Sequence, residues 1–158
     1  MAAIPLVGLE ALGVALGDRY PRRLEHTMVV IRHRGEEAVT AYDFLPRDPT
    51  SPITAATLLS GGGVPGELRA RPLRRLPSRR CWKVGDATPG LGAGLVPQRW
   101  LGGDLADDTA GDAAGVDAAA MWFQEEYDST LSLRSNSCRQ HTAAMAAFLT
   151  GVKDVKLP

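Results

Sequence analysis

Cysteine is scarce in this chain: Cys81 and Cys138 are the only two in 158 residues. Two are too few for a disulfide scaffold, and nothing in their spacing asks for a bridge, so two reduced thiols of an intracellular protein is the simpler reading. An excess of charge is also missing. Eighteen basic and eighteen acidic side chains cancel to a formal net charge of zero, so no whole-molecule field recruits a polyanion. Long apolar runs are absent too, and no stretch approaches the roughly 18 to 20 residues that a membrane helix needs. Glu10 interrupts the mildly apolar start, no basic residues precede it, and the first seventeen residues hold no Arg or Ser. A secretory signal and a transit peptide are both poor fits. The expectation is a mature cytosolic protein, or one shared between cytosol and nucleus, with no membrane span and no cofactor.

What is present is an ordinary globular composition. A hydrophobic fraction of 44% in 158 residues is enough for one domain over 1–158 with its own core. The balanced charge is segregated along the chain. Residues 67–83 carry seven basic side chains and one acid, and residues 104–128 carry eight acids and no base. Solvated faces are the plain explanation. The sharper one is a binding surface on the basic segment Arg71–Arg80, using Arg74, Arg75, Arg79 and Arg80 with Trp82. Aromatics interleaved with the arginines are lacking beyond Trp82, and no nucleic-acid motif is present, so a protein partner fits better than a nucleic acid.

The clearest local structure is EHTMVVIRHRGEEAVTAYDFLP. Two β-rich runs, HTMVVIR and AVTAYDF, flank a polar turn containing Gly35, which predicts a hairpin. In TSPITAATLLSGGG, Ser51 suits an N-cap, Pro52 the first helical position and Gly61 the stop, which predicts a short helix. ELRARPLRRL and RRCWKVG read as further strands, with Pro72 putting the first at an edge or ending it early. Residues 85–111, rich in Gly, Pro and Asp, read as a long loop, mobile in part. GVDAAAMWFQEEYDSTL places Val116, Ala120, Phe123 and Tyr127 at steps of four, as a helix would. A last helix is expected over 138–150, stopped by Gly151. LVGLEALGVAL, residues 6–16, suits either a helix or an irregular apolar segment, because Gly8 and Gly13 weaken the helix. Strands mixed with helices predict an α+β fold, a small antiparallel sheet packed with helices.

The stretch RSNSCRQHT, 134–142, holds Asn, Cys and His at that helix start. With Asn136 or Ser137 as N-cap, Cys138 falls in the first turn, where unpaired N–H groups and the helix dipole favour a thiolate. Arg134 and Arg139 push the same way. Two histidines compete as its base. His141 lies three residues on, along the same helix face. His26 opens the first hairpin strand, and a turn centred on Arg34-Gly35 sets it across from Asp43, which could orient its ring; a shifted register would put Leu45 there instead. His33, at the turn, reads as a surface residue. Cys138 can equally be a small packed side chain. Cys138 and His141 also form a Cys-x-x-His pair, but a zinc site needs further ligands, so Cys81 and His26 or His33 would have to converge. No metal is expected.

The order of these pieces resembles the circularly permuted papain-like superfamily, in which the catalytic His precedes the Cys. Its members include lecithin retinol acyltransferase-like proteins, NlpC-type permuted hydrolases and PPPDE deubiquitinase-like peptidases. The matching pieces are EHTMVVI with His26, AYDF with Asp43, and NSCRQHT with Cys138. The layout also looks like the plant reversion-to-ethylene-sensitivity family, through His26, Asp43-Phe44, Trp122 and NSCRQH. The chain departs from these relatives at Glu25, where they often carry Gly, and at Ser137, which separates Asn136 from Cys138. The resemblance implies a permuted papain-like fold and thiol-based acyl transfer on an ester, thioester or (iso)peptide carbonyl. It implies Cys138 as nucleophile, His26 as base and Asp43 as its orienter, with His141 as a supporting group. The alternative is a noncatalytic interaction or regulatory protein that keeps the fold and binds a partner through its arginines.

Overall fold

The computed structural model describes residues 2–5, 25–33, 35–75, 81, 83–88 and 111–157. In chain order they form β1 (Ala2–Pro5), β2 (Glu25–Ile31), β3 (Val39–Pro46), α1 (Pro52–Leu59), β4 (Val64–Leu73), α2 (Gly111–Glu126), β5 (Thr130–Leu131) and α3 (Cys138–Thr150). The strands make one antiparallel sheet in sequence order, β1-β2-β3-β4-β5. With helices packed on the sheet, the fold is α+β as expected.

The β2–β3 hairpin forms, but with a different register. Met28, not His26, stands across from Asp43, and Ile31 pairs with Thr40. The turn is therefore not a tight one on Arg34-Gly35. The polar residues after Ile31 stay out of the ladder, Gly35 takes a positive φ of 86°, and the pairing shifts by two residues. On that offset Leu45 is the residue across from His26. A shift of two keeps every side chain on its expected face.

Alternation along the hairpin divides the core. Val29 and Tyr42 pack against Ala118, Ala119 and Ala120 of α2 and Met145, Ala146 and Leu149 of α3. Met28 and Ala41 form a second cluster with Val30 and Leu73. Phe44, Val64 and Leu131 make a third, against Leu58, Leu68 and Tyr127. Tyr42, Phe44, Met28 and Met145 are among the largest fully buried side chains, each worth about 1.5–3 kcal/mol of transfer free energy. Gly66 is required where β4 passes Phe44: a Cβ there would run into the Phe44 ring and meet the Ser129 carbonyl oxygen at 2.8 Å. That close approach lets the Gly66 N–H donate to the Ser129 carbonyl at 2.7 Å.

The first predicted helix is α1, with Ser51 as N-cap accepting from the Thr54 N–H at 3.4 Å. Gly61 follows its end at φ 88°. Strand β4 starts at Val64, three residues before the predicted Glu67, and pairs with β3 through Leu73. Past Pro65 its outer side pairs with no strand among the described residues, so Pro72 does sit on an edge. The second predicted strand, RRCWKVG, is not formed at residues 83–85, which are irregular. Residues 83–88 instead dock on α3, where the Thr88 N–H donates to the Leu149 carbonyl at 2.9 Å and Val84 joins the core.

Helix α2 begins at Gly111, inside the predicted 85–111 loop, and ends at Glu126, short of the predicted Leu131. Ala113 and Ala114, good helix formers, extend its start. At its end the Asp128 carboxylate accepts from the Thr130 N–H at 2.8 Å, and Thr130 and Leu131 pair with β4. Residues 6–16, Arg79, Arg80, Trp82 and 89–110 lie outside the described residues. No helix among the described residues is long and apolar enough to cross a membrane.

Candidate active site

Cys138 is the first residue of α3, and Ser137 is its N-cap, with a φ of −95° and a ψ of 172°. The Ser137 hydroxyl accepts from the Arg139 N–H at 3.2 Å. Gln140 closes a capping box by accepting from the Ser137 N–H at 3.0 Å, so the S-x-x-Q spacing of Ser137 and Gln140 satisfies amides at both ends. Asn136 faces the other way, and its side-chain amide donates to the carbonyls of Asp128 at 2.9 Å and Thr130 at 2.8 Å. This ties the approach to α3 to β5. The helix ends on Gly151 in the left-handed region.

Strand β2 meets this helix start. The Thr27 hydroxyl donates to the Cys138 carbonyl at 3.1 Å. Helix α3 packs on β2 and β3, so two segments more than a hundred residues apart in sequence come together. His26 is 1% exposed and Cys138 8%.

His26 is bound on one side of its ring. Its Nε2 lies 3.3 Å from Asp43 Oδ2. Because Asp43 stands across from Met28, two residues along β2, the contact runs diagonally and survives the altered register. The other ring nitrogen, Nδ1, is buried with no hydrogen-bond partner.

Asp43 is fully buried and has three partners. Arg69, its direct partner across β4, forks onto it, Nε to Oδ1 at 2.9 Å and one terminal nitrogen to Oδ2 at 3.0 Å. Arg71 donates to Oδ2 at 3.1 Å. Gln124 of α2 donates to the Arg69 carbonyl at 3.1 Å. These arginines belong to the segment read as a solvated or partner-binding face. The missed signal was Arg-Ala-Arg on a strand: residues two apart share a face, and that face meets the acid of the neighbouring strand.

The electrostatics follow from these contacts. Burial pushes the Asp43 carboxyl up, but hydrogen bonds and charge from His26 and Arg69 hold it well below the usual carboxylate range. Burial pushes His26 down, while Asp43 and Cys138 more than reverse that and raise it. Burial pushes the Cys138 thiol up, but His26 and Thr27 outweigh it and lower it. Each shift favours the charged form, which is the arrangement of a thiolate–imidazolium pair backed by a carboxylate.

His141 is not part of this chain of contacts. It is fully buried among Phe44, Phe123 and Tyr127, with ring centroids at 5.7, 5.7 and 4.9 Å. Neither ring nitrogen has a hydrogen-bond partner. Burial drives its pKa down to about 4, so it is neutral near pH 7. His33 is not a bare surface residue either. Its Nε2 lies 2.9 Å from Asp117 Oδ2, and the Tyr42 hydroxyl donates to Asp117 Oδ1 at 2.8 Å, which fastens α2 to the hairpin. Arg74 and Arg75 are exposed at the end of β4. Among the described residues no group of three or more His, Cys, Asp or Glu side chains is arranged to hold a metal ion. Compared with protein-family models, curated proteins and solved structures, the chain matches none.

Proposed function

We propose that the protein is a thiol-dependent hydrolase or acyltransferase of permuted papain-like architecture. Cys138 is its nucleophile, His26 its general base and Asp43 the group that orients His26. One observation carries this reading: a buried thiol at a helix N-terminus is lowered by hydrogen bonding and charge from His26, whose Nε2 meets a buried carboxylate. The reading also draws on the resemblance of EHTMVVI, AYDF and NSCRQHT to that superfamily.

In this mechanism His26 Nδ1 takes the thiol proton, and Asp43 stabilises the resulting imidazolium through Nε2. The sulfur attacks the carbonyl carbon of an ester, thioester or amide, and the carbonyl electrons move to oxygen. Collapse breaks the bond to the leaving group, which takes the proton from His26, and leaves a thioester on Cys138. Water or an acyl acceptor, deprotonated by His26, then attacks the thioester and frees the thiol. His141, neutral among aromatic rings, supports the packing and moves no proton.

The test is activity profiling with thiol-directed acyl probes, including ubiquitin-derived esters and simple thioesters. Loss of labelling or turnover in both Cys138→Ala and His26→Ala supports the proposal. Turnover that survives either substitution refutes it. The partner-binding alternative draws on the exposed Arg74 and Arg75. It predicts capture of a partner that is indifferent to Cys138→Ala and weakened by reversing those two charges.

A further inference from the structure

We infer that Arg71 forms a subsite for an anionic group on the acyl donor, beside the His26–Asp43 pair; the inference rests on the thiol reading above. Arg69 alone serves both oxygens of Asp43 with a two-pronged fork, the strong geometry for a guanidinium and a carboxylate. Arg71 adds a second positive charge to a carboxylate already neutralised. Among the described residues its one bond goes to Oδ2, the same oxygen that meets His26 Nε2. The arginine is thereby held next to the catalytic histidine.

Arg71 spans from buried site to solvent. Its side chain is 41% exposed while Asp43 is fully buried, and a guanidinium has five N–H donors, of which Asp43 takes one. Its Nε is buried with no partner. Among the described residues the neighbouring charges leave the excess in place. Arg74 and Arg75, both exposed, lie just past the end of the strand, and the exposed Glu67 acts on Arg69. A carboxylate on the substrate, close to the carbonyl attacked by Cys138, is the chemistry that would use this charge.

Iodoacetate and iodoacetamide test this, because they alkylate by one reaction and differ in charge. The thiolate sulfur bonds to the methylene carbon and iodide leaves. Second-order rates at Cys138 are measured at pH 7 in a Cys81→Ser background, as the ratio of iodoacetate to iodoacetamide, with a small peptide thiol as reference. The expected ratio exceeds that of the peptide about tenfold, the scale of one well-placed charge at low salt. It falls at least fivefold in Arg71→Gln and is largely kept in Arg71→Lys. His26 also attracts the anion, and the Arg71 variants isolate the arginine's share. A ratio unchanged by Arg71→Gln overturns the subsite. Should that variant fail to fold, a wild-type ratio equal to that of the peptide, or one indifferent to a change from low to 0.5 M salt, overturns it instead. Failure of the thiol reading is separate and shows in iodoacetamide alone, as a thiol that titrates like the peptide.

Discussion

Two histidines are buried equally deeply near the start of α3 and are tuned in opposite directions. His26 and His141 are 1% and 0% exposed. Burial presses both towards the neutral form. His26 meets Asp43 and Cys138 and is raised; His141 meets three aromatic rings and falls to about 4. Depth is common to both, so the partners decide. A carboxylate held charged by two arginines raises one histidine, and an aromatic box lowers the other.

The largest way to break the comparison is Asp43→Leu, which gives His26 an apolar neighbour like those of His141. Removing one partner of a buried ion pair costs about 3–5 kcal/mol. Arg69 and Arg71 can turn towards water, so the lower end, about 3 kcal/mol, is expected from urea unfolding. The thiol of any folded fraction should titrate higher.

His141→Phe sharpens the contrast through pH. The unfolded chain binds a proton at His141 as pH falls through about 6.5, while the folded protein refuses it until about 4. Stability is therefore lost as pH falls from about 6.5 to 4, by up to ~3 kcal/mol. His26 has the opposite sign: its contribution is full below about 6.5 and is lost as pH rises through its raised folded value. Thermal melts at pH 7 and 5 should show the phenylalanine variant losing less on acidification than the parent.

Tyr42→Phe removes the hydroxyl that binds Asp117 and loosens α2, which carries Phe123 of the aromatic box. About 1–2 kcal/mol is expected, since the acceptor is charged but partly exposed. The smallest effect is Ser137→Ala at the cap of α3, about 1 kcal/mol. That change acts on the Cys138 side of the comparison and should leave the acid sensitivity of His141 in place.

How far the sequence could be read follows from the range of each interaction. The caps Ser51 and Ser137, the stop at Gly151 and the placing of Cys138 at a helix start are local events written in neighbouring residues. The contact of His26 with Asp43 needed only a hairpin, and it tolerated a pairing shifted by two because the faces did not change. Arg69 and Arg71 were out of reach, because their partner lies on another strand and a basic run looks alike in water or against a buried acid. Strand β1 was missed: Ala2–Pro5 carries no strand pattern and is ordered by pairing with β2. The roles of His26 and His141 were left open by spacing, which put His141 nearer. Burial among Phe44, Phe123 and Tyr127 is a long-range fact that the Cys-x-x-His spacing does not contain.

The most direct measurement is the pH profile of Cys138 alkylation by iodoacetamide, in the Cys81→Ser background, for the parent, His26→Ala and His141→Phe proteins. The expected midpoint lies below the ordinary thiol value of about 8.5 in the parent and in His141→Phe. In His26→Ala the midpoint should sit at or above that value, because burial then acts on the thiol without the imidazolium. A parent midpoint at the ordinary value, or one that moves with His141 and not with His26, would contradict a thiol activated by His26.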